Sequence, residues 1–211
     1  MANTSLGGGL RKVDSNGYMS RRTPTAYFCS QAADIGIGDC VTVTGTANTS
    51  DIAVTTGKVG GLTRFKAGQL RAVVRSTAGD ANMITGVVQN VAYNPTVAFG
   101  STAPYHVSGG SDVLYVDDDP SSIFEIECDA TIAAADVNLN ANLDSGATVD
   151  SYTGRSNLKL SVSSKGADAT KQLTILGISR AINRGDLTSS GCSVYVRINN
   201  HTEGPSKVGV A

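Results

Sequence analysis

The chain is poor in aromatic and charged residues and contains no tryptophan. Aromatic side chains make up 5% of its 211 residues and charged side chains 17%, so it has little ring surface for stacking on sugars or single-stranded nucleic acid. It has no apolar run of about 18 residues, which argues against a transmembrane helix. The N-terminus also lacks the apolar core of a signal peptide. We therefore expect a protein made in the cytoplasm that has no membrane partner.

Signals for metal binding and catalysis are also missing. The four cysteines form no CxxC pair and there are only two histidines, so we expect reduced, buried thiols and no zinc site. The serine-hydrolase motif GxSxG and the metalloprotease motif HExxH are absent. We predict that the protein is not an enzyme and uses no cofactor. One alternative stays open, a hydrolase that uses Glu125 or Glu127, which lie two residues apart on a predicted strand.

The residues that are abundant favour short strands joined by turns. Glycine, serine, threonine and valine dominate, and the formal net charge of −1 gives no overall attraction to nucleic acid. We predict a mainly β protein with one or two small antiparallel β-barrel or sandwich subdomains, an extended N-terminal arm and at most one short helix. The predicted segments are the arm (1–25), a first β subdomain (26–93), a linker loop (94–110), a second β subdomain (111–202) and a C-terminal tail (203–211).

Several strands are predicted from their patterns. Valine and threonine alternate over residues 41–44, which is typical of a half-buried strand. The other predicted strands cover residues 26–30, 70–74, 83–91, 158–162, 173–178 and 193–198. Gly86 indicates a bulge or a close approach within its strand. The stretch 45–61 is predicted to be a long loop or a weak edge hairpin, and 130–143 is the one plausible short helix.

The strongest hairpin signal surrounds an acidic turn. Residues 113–116 and 123–127 are strand-like, and between them Asp117, Asp118 and Asp119 precede Pro120. Proline fixes φ for a turn, and aspartates accept hydrogen bonds from nearby backbone amides. We expect a solvated turn that is a candidate subunit contact, and leave open that it holds a hard cation such as Ca²⁺.

Charge is distributed in three blocks along the chain. Residues 1–75 carry a net charge of +5, residues 76–154 carry eleven acidic side chains and no lysine or arginine, and residues 155–211 carry +5. We call residues 76–154 the acidic block. Either it packs against the basic blocks inside one subunit, or acidic and basic faces meet between copies; the two are compatible.

The first 25 residues are predicted to form an arm. A Gly7-Gly8-Gly9 run and Pro24 interrupt any periodicity. A frayed terminus is the simple interpretation, but the apolar content favours an extended segment that orders against a partner surface. The candidate residues for capsid binding by this arm are Leu10, Arg11, Lys12, Val13, Arg21 and Arg22.

The order of motifs resembles that of head-decoration proteins of tailed bacteriophages, also called cement or capsid-stabilising proteins. The motifs are GLRKV (9–13), IGDCV (37–41), ITGVV (84–88), YVDDDP (115–120), FEIE (124–127), ADVNLNA (135–141), TGRS (153–156), LTILG (173–177) and VRINNH (196–201). Each motif is weak alone, and the resemblance rests on their order and spacing.

The resemblance implies a structural virion protein on the outer surface of an icosahedral capsid. It implies binding to the major capsid protein, stabilisation of contacts between capsid subunits, and a homotrimer at local threefold positions. It implies no catalytic residues and no binding to nucleic acid. The alternative function is a receptor- or glycan-binding module of a phage tail or fibre.

Overall fold

The structure is a computed structural model that describes residues 3, 7–13, 23–56, 61–92 and 104–204. Strands dominate these residues, so the predicted mainly β fold is confirmed. In chain order they are β1 (Arg11–Lys12), β2 (Thr25–Cys29), β3 (Cys40–Ala47), β4 (Ile52–Thr56), β5 (Gly61–Phe65), β6 (Arg71–Arg75), β7 (Gly86–Val91), β8 (Asp112–Asp117), β9 (Ile123–Glu127), β10 (Asn140–Leu143), β11 (Leu160–Gly166), β12 (Leu173–Ile178) and β13 (Ser193–Ile198). Within this described part of the chain, no helix has the length and apolar character needed to cross a membrane.

Five strands close into a barrel in the order β2-β6-β3-β7-β8. Side chains alternate between its inside and its outside, as strand geometry requires. On β2, Tyr27 and Cys29 point into the barrel core, whereas Phe28 packs on the outside. On β3, Val41 is fully buried and Thr42 is only partly covered, so the predicted half-buried strand is confirmed.

A two-stranded hairpin, β4 with β5, covers the outside of this barrel. Val54 of the hairpin is fully buried in a small apolar cluster with Leu70, Ala92 and Val113. The edge hairpin that was one alternative for residues 45–61 is therefore present, because its apolar side chains have a surface to cover.

The other strands form a six-stranded sheet in the order β1-β9-β13-β12-β10-β11. The sheet curls, so that the second strand in this order, β9, approaches the last, β11. The contact is a bridge between Cys128, directly after β9, and Leu160 at the start of β11. This sheet carries the larger hydrophobic core, which also includes Cys40, Ile84 and Val87 from the barrel side. The two β units therefore share buried apolar side chains.

The predicted hairpin around the acidic turn is wrong. β8 pairs with β2 and β7 in the barrel, whereas β9 pairs with β1 and β13 in the six-stranded sheet. The turn that joins them crosses from one β unit to the other. We assigned residues 112–117 to the second subdomain, but they form β8 and complete the barrel. Barrel closure gives β8 two neighbouring strands, β2 and β7.

The predicted helix at 130–143 is also largely wrong. A single 3-10 turn, Ala134–Asp136, is present, and residues 140–143 form β10. The side chains of β10 are buried, and Asn140 and Ala141 pair with β12. Pairing in the sheet therefore overrides the helical preference of the alanines.

One close contact lies between the barrel strands β7 and β8, and a buried glutamine joins the two β units. A Cβ atom on Gly86 would collide with the backbone carbonyl oxygen of Asp117, which confirms the predicted close approach at this glycine. Gln172, fully buried, donates from Nε2 to the carbonyl oxygen of Thr77 at 2.9 Å and accepts from the N–H of Leu143 at 3.1 Å. All four cysteines are free and buried, as predicted.

Candidate interaction site at the arm and the acidic turn

The arm residues form an edge strand on the chain's own sheet. β1 runs antiparallel to β9, with Arg11 opposite Glu125 and Lys12 opposite Phe124. The N–H of Val13 continues the pairing by donating to the carbonyl oxygen of Ile123 at 2.9 Å. This part of the arm is therefore ordered by contacts within the chain.

Leu10 fixes the arm to the hydrophobic core. Its side chain is 2% exposed, and its N–H donates to the carbonyl oxygen of Gly38 at 3.0 Å. Gly38 has a φ of +91°, and a Cβ atom there would collide with the carbonyl oxygen of Gly8. The two backbones thus touch directly, which only glycine permits. The free arm expected for residues 1–25 is corrected for residues 7–13, whereas Arg21 and Arg22 lie outside the described residues.

The two sites predicted from the sequence contact each other. Lys12 Nζ lies 2.7 Å from Asp117 Oδ2, and the Asp117 side chain is only 3% exposed. Both carboxylate oxygens of Asp117 also accept from the Ser122 hydroxyl group at 3.1 Å. The carboxylate therefore has a cation and a neutral donor, the pairing that a buried charge requires.

Asp118 belongs to a chain of polar contacts that runs from the acidic turn over the neighbouring strands β2 and β6. The Tyr27 hydroxyl group donates to Asp118 Oδ2 at 3.0 Å, and Arg71 Nη2 donates to the Tyr27 oxygen at 2.6 Å. Arg71 also pairs with Glu203 at 3.2 Å. Burial, together with the negative charge of Asp118, raises the pKa of Tyr27 to about 12, so the phenol remains a donor at neutral pH.

Asp119 shapes the turn itself. Its Oδ1 accepts from the Ser121 N–H at 2.9 Å and from the Ser121 hydroxyl group at 2.6 Å, the local bonding predicted for aspartates in a turn. Within the described ranges, no three or more His, Cys, Asp or Glu side chains are grouped in a way that could hold a metal ion. The acidic turn is thus built from bonds inside the chain.

The glutamates considered for hydrolysis are buried and ion-paired. Glu125 is 4% exposed and lies 3.4 Å from Arg11 and 3.5 Å from Arg184, and its Oε1 accepts from the Ser179 hydroxyl group at 2.6 Å. Glu127 lies 2.7 Å from Lys159. The face of β9 that carries the two glutamates is therefore buried, because basic side chains cover it.

Among the described residues, five of the eleven carboxylates of the acidic block pair with lysines or arginines of the basic blocks. Its ion pairs with lysine or arginine are Asp80–Lys171, Asp117–Lys12, Glu125–Arg11, Glu125–Arg184, Glu127–Lys159 and Asp136–Lys165. Five carboxylates thus find cations within the subunit, which confirms that alternative. A meeting of charged faces between copies stays a prediction.

Sequence reasoning missed two buried polar groups, because His106 belongs to no motif and the IGDCV motif gave no sign that its Asp39 is buried. His106 is fully buried, with Nδ1 2.7 Å from Asp112 and Nε2 3.1 Å from the carbonyl oxygen of Gln31. Burial, the largest single effect, lowers the pKa of His106, but the contacts with Asp112, Cys29 and the Gln31 carbonyl oxygen together outweigh it and raise the pKa to about 10. Asp39 is fully buried and pairs with Arg75 at 3.1 Å; burial raises its pKa.

His201 lies at a groove beside the acidic turn. The groove, about 250 Å³ in volume, is lined by residues that include Pro120, Arg197, His201 and Glu203. The His201 ring is buried, and Nδ1 accepts from the Glu203 N–H at 3.0 Å. Burial lowers the pKa of His201, so this ring is neutral at pH 7.

No protein-family model matches the chain, and no significant match is found to a curated protein or a solved structure.

Proposed function

We propose that this protein is a structural component of a tailed-bacteriophage virion that binds the outer surface of the capsid. In this role it stabilises contacts between subunits of the major capsid protein, and it does so as a homotrimer without catalysis. The observation that carries the proposal is that the motifs behind the resemblance, which are scattered along the sequence, contact one another in the fold.

The contacts begin at the arm. The GLRKV motif (9–13) pairs with the FEIE motif (124–127) in the six-stranded sheet and forms an ion pair with the YVDDDP motif (115–120). Its Leu10 also bonds to the IGDCV motif (37–41). Three other motifs therefore hold the arm motif in place.

The remaining contacts extend through both β units. The IGDCV motif meets the TGRS motif (153–156), where the Ser156 hydroxyl group donates to Asp39 at 2.6 Å. In the ITGVV motif (84–88) the Ile84 N–H donates to the carbonyl oxygen of Asn200 in the VRINNH motif (196–201), which pairs with the LTILG motif (173–177). Proteins that share a fold also share the contacts between its elements. Contacts among these motifs therefore support the resemblance.

The charge distribution suits a protein that adheres to a shell. Ion pairs within the chain neutralise part of the acidic block. The net charge of −1 gives no overall electrostatic attraction to the packaged DNA. Many identical copies on a shell make modest contacts collectively strong.

One observation favours the alternative of a receptor- or glycan-binding module. Tyr152 is 93% exposed, and an exposed aromatic ring can stack on a sugar. Saturable binding on a glycan array that is lost in a Tyr152→Ala variant would support that function.

The experiment for the main proposal uses purified, DNA-filled virions of the phage that carries the gene. Mass spectrometry of intact heads is expected to detect the protein in many copies, and negative-stain microscopy to show surface projections. Heads that lack the protein would overturn the proposal.

A further inference from the structure

Two of the four cysteines lie opposite each other at one end of the six-stranded sheet. β13 pairs with β9 in a register that places Ser193 opposite Glu127. The same register places Cys192, directly before β13, opposite Cys128, directly after β9. The N–H of Cys128 donates to the carbonyl oxygen of Cys192 at 2.9 Å. The pairing of the two strands therefore continues to the cysteines.

Both thiols point into the same core. Side chains at every second position of a strand lie on the same face of a sheet. Ile126 and Val194, two positions further along each strand, belong to the larger hydrophobic core, and so do Cys128 and Cys192, which are both 0% exposed. Opposite residues of antiparallel strands have Cα atoms about 4.5–5.5 Å apart. Disulfides span Cα distances of about 4.4–6.8 Å, so the backbone already provides the spacing of a disulfide.

Across the strand pairs that the structure describes, the other two cysteines face different residue types. Cys29 of β2 lies opposite Asp112 of β8, and Cys40 of β3 lies opposite Val87 of β7. Cys29 also belongs to the barrel core and not to the larger core. The opposition of cysteine to cysteine is thus particular to β9 and β13.

The surroundings hold one cysteine firmly and the other loosely. Cys128 lies between two strands, because it also forms a bridge with Leu160 of β11. Cys192 follows Gly191, which has a φ of +75°. The Cys192 thiol donates to the carbonyl oxygen of Ser193 at 3.6 Å. A thiol is a weak donor, so little is lost when the sulfur exchanges this contact for a covalent bond.

We infer that Cys128 and Cys192 are a redox-active pair that forms a disulfide across the end of the sheet under oxidising conditions. In a reducing cytoplasm both remain thiols, the state that the structure describes. Oxidation joins β9 to β13 and closes the loop 128–192, which contains β10, β11 and β12. A bond that closes a long loop restricts the unfolded chain and so stabilises the fold. This inference does not depend on the proposed capsid role.

The oxidation is a pair of thiol–disulfide exchanges with a low-molecular-weight disulfide such as oxidised glutathione. The thiolate of one cysteine attacks a sulfur of that disulfide and expels one glutathione thiolate. The thiolate of the second cysteine attacks the mixed disulfide and expels the other. The two protein thiols are oxidised and give up two protons, and one glutathione disulfide is reduced to two thiols.

Burial protects the pair while the fold is closed. Burial, with a further contribution from the neighbouring Cys192 thiol and nearby carboxylates, raises the pKa of Cys128 to about 12. Burial also raises the pKa of Cys192. Because the thiolate is the attacking species, folded protein reacts slowly at neutral pH. The pair is therefore tested during refolding, when both thiols are accessible.

The test unfolds the full, reduced chain in denaturant and refolds it in a buffer of reduced and oxidised glutathione. Wild type is compared with Cys128→Ala/Cys192→Ala and with the matched control Cys29→Ala/Cys40→Ala, which keeps the proposed pair. Alkylation and mass spectrometry count the free thiols, and peptide mapping identifies the linked cysteines. The unfolding temperature of each oxidised protein is compared with that of the same protein after reduction, which removes the direct effect of each substitution.

Wild type and the control are expected to lose two thiols, with Cys128 linked to Cys192. We expect both to unfold about 5–10 °C higher in the oxidised than in the reduced form, and the variant without the pair to show no shift. Four free thiols in refolded wild type, a link that involves Cys29 or Cys40, or oxidised wild type that unfolds no higher than reduced protein would each overturn the inference. If a variant fails to fold, the linked peptide and the temperature shift of wild type decide the question.

Discussion

Lys12 Nζ lies 2.7 Å from Oδ2 of Asp117, so the predicted arm and the predicted acidic turn are two halves of one contact. Asp117 ends the last strand of the barrel, and Lys12 lies on the edge strand of the six-stranded sheet. The ion pair therefore connects the two β units. It also gives an aspartate that is 3% exposed the cationic partner that a buried carboxylate needs.

Replacing Lys12 should destabilise the fold. In a Lys12→Met variant Ser122 is the one side-chain donor that the described residues still offer the buried Asp117 carboxylate, and we expect the free energy of unfolding to fall by about 1–3 kcal/mol. The matched control is Lys66→Met, because the Lys66–Asp51 pair is exposed at both ends. Such surface pairs contribute less than about 1 kcal/mol. Urea unfolding followed by circular dichroism measures both, and equal losses would contradict the role of the Lys12 pair.

Truncating Leu10 should lower the free energy of unfolding, because its side chain is buried in the core. A Leu10→Ala variant leaves a cavity in the larger core, and the expected loss is about 2–5 kcal/mol. Val13→Ala, in the half-buried last position of the same segment, should cost clearly less. A Leu10→Ala protein as stable as wild type would show that the arm is not part of the core.

The sequence predicts those strands whose pattern is strong locally. The bounds of β12 and β13 agree with the prediction to the residue, because apolar residues fill a short run between turns. The partners of strands are harder to predict. The turn at Asp117–Asp119 has the chemistry of a hairpin, but β8 pairs elsewhere because it closes a barrel with strands far away in sequence.

The sequence predicted residues of the candidate site but not the contacts between them. The sequence identified Lys12 and Asp117 separately, and charge counting predicted contacts between basic and acidic blocks, within one subunit or between copies. Which lysine reaches which carboxylate depends on the fold, and so does the burial of Glu125 by two arginines. His106 carries no sequence signal, since only its long-range contact with Gln31 and its burial make it unusual.

The close approach of β7 and β8 at Gly86 should not tolerate a side chain. In Gly86→Ala the new methyl group would collide with the Asp117 carbonyl oxygen, so the backbones must separate, at an expected cost of about 1–3 kcal/mol. Gly177→Ala is the control, because a Cβ atom there has no neighbour within 4 Å. That variant should unfold at the wild-type temperature or slightly above it. Thermal unfolding that drops equally in both variants would contradict the close approach.

The two histidines should respond to pH in opposite directions. The pKa of His106 is about 10 in the folded state, above the ordinary value of 6.5, so its stabilising contribution is complete below pH 6.5 and is lost as pH rises toward 10. Because burial lowers the pKa of His201, its contribution is present above pH 6.5 and is lost as pH falls. Ring shifts in NMR spectra, assigned with a His106→Gln variant, should show His106 charged and His201 neutral at pH 7. Both rings titrating near 6.5 would contradict the described contacts.

We propose that this protein lies on the outside of a phage capsid, and cryo-electron microscopy of intact virions is the decisive test of that position. We expect density for two joined β units on the outer surface of the shell, repeated around the local threefold axes and touching neighbouring major-capsid subunits. Density for this fold at the tail or inside the shell, or virions without it, would contradict the claim.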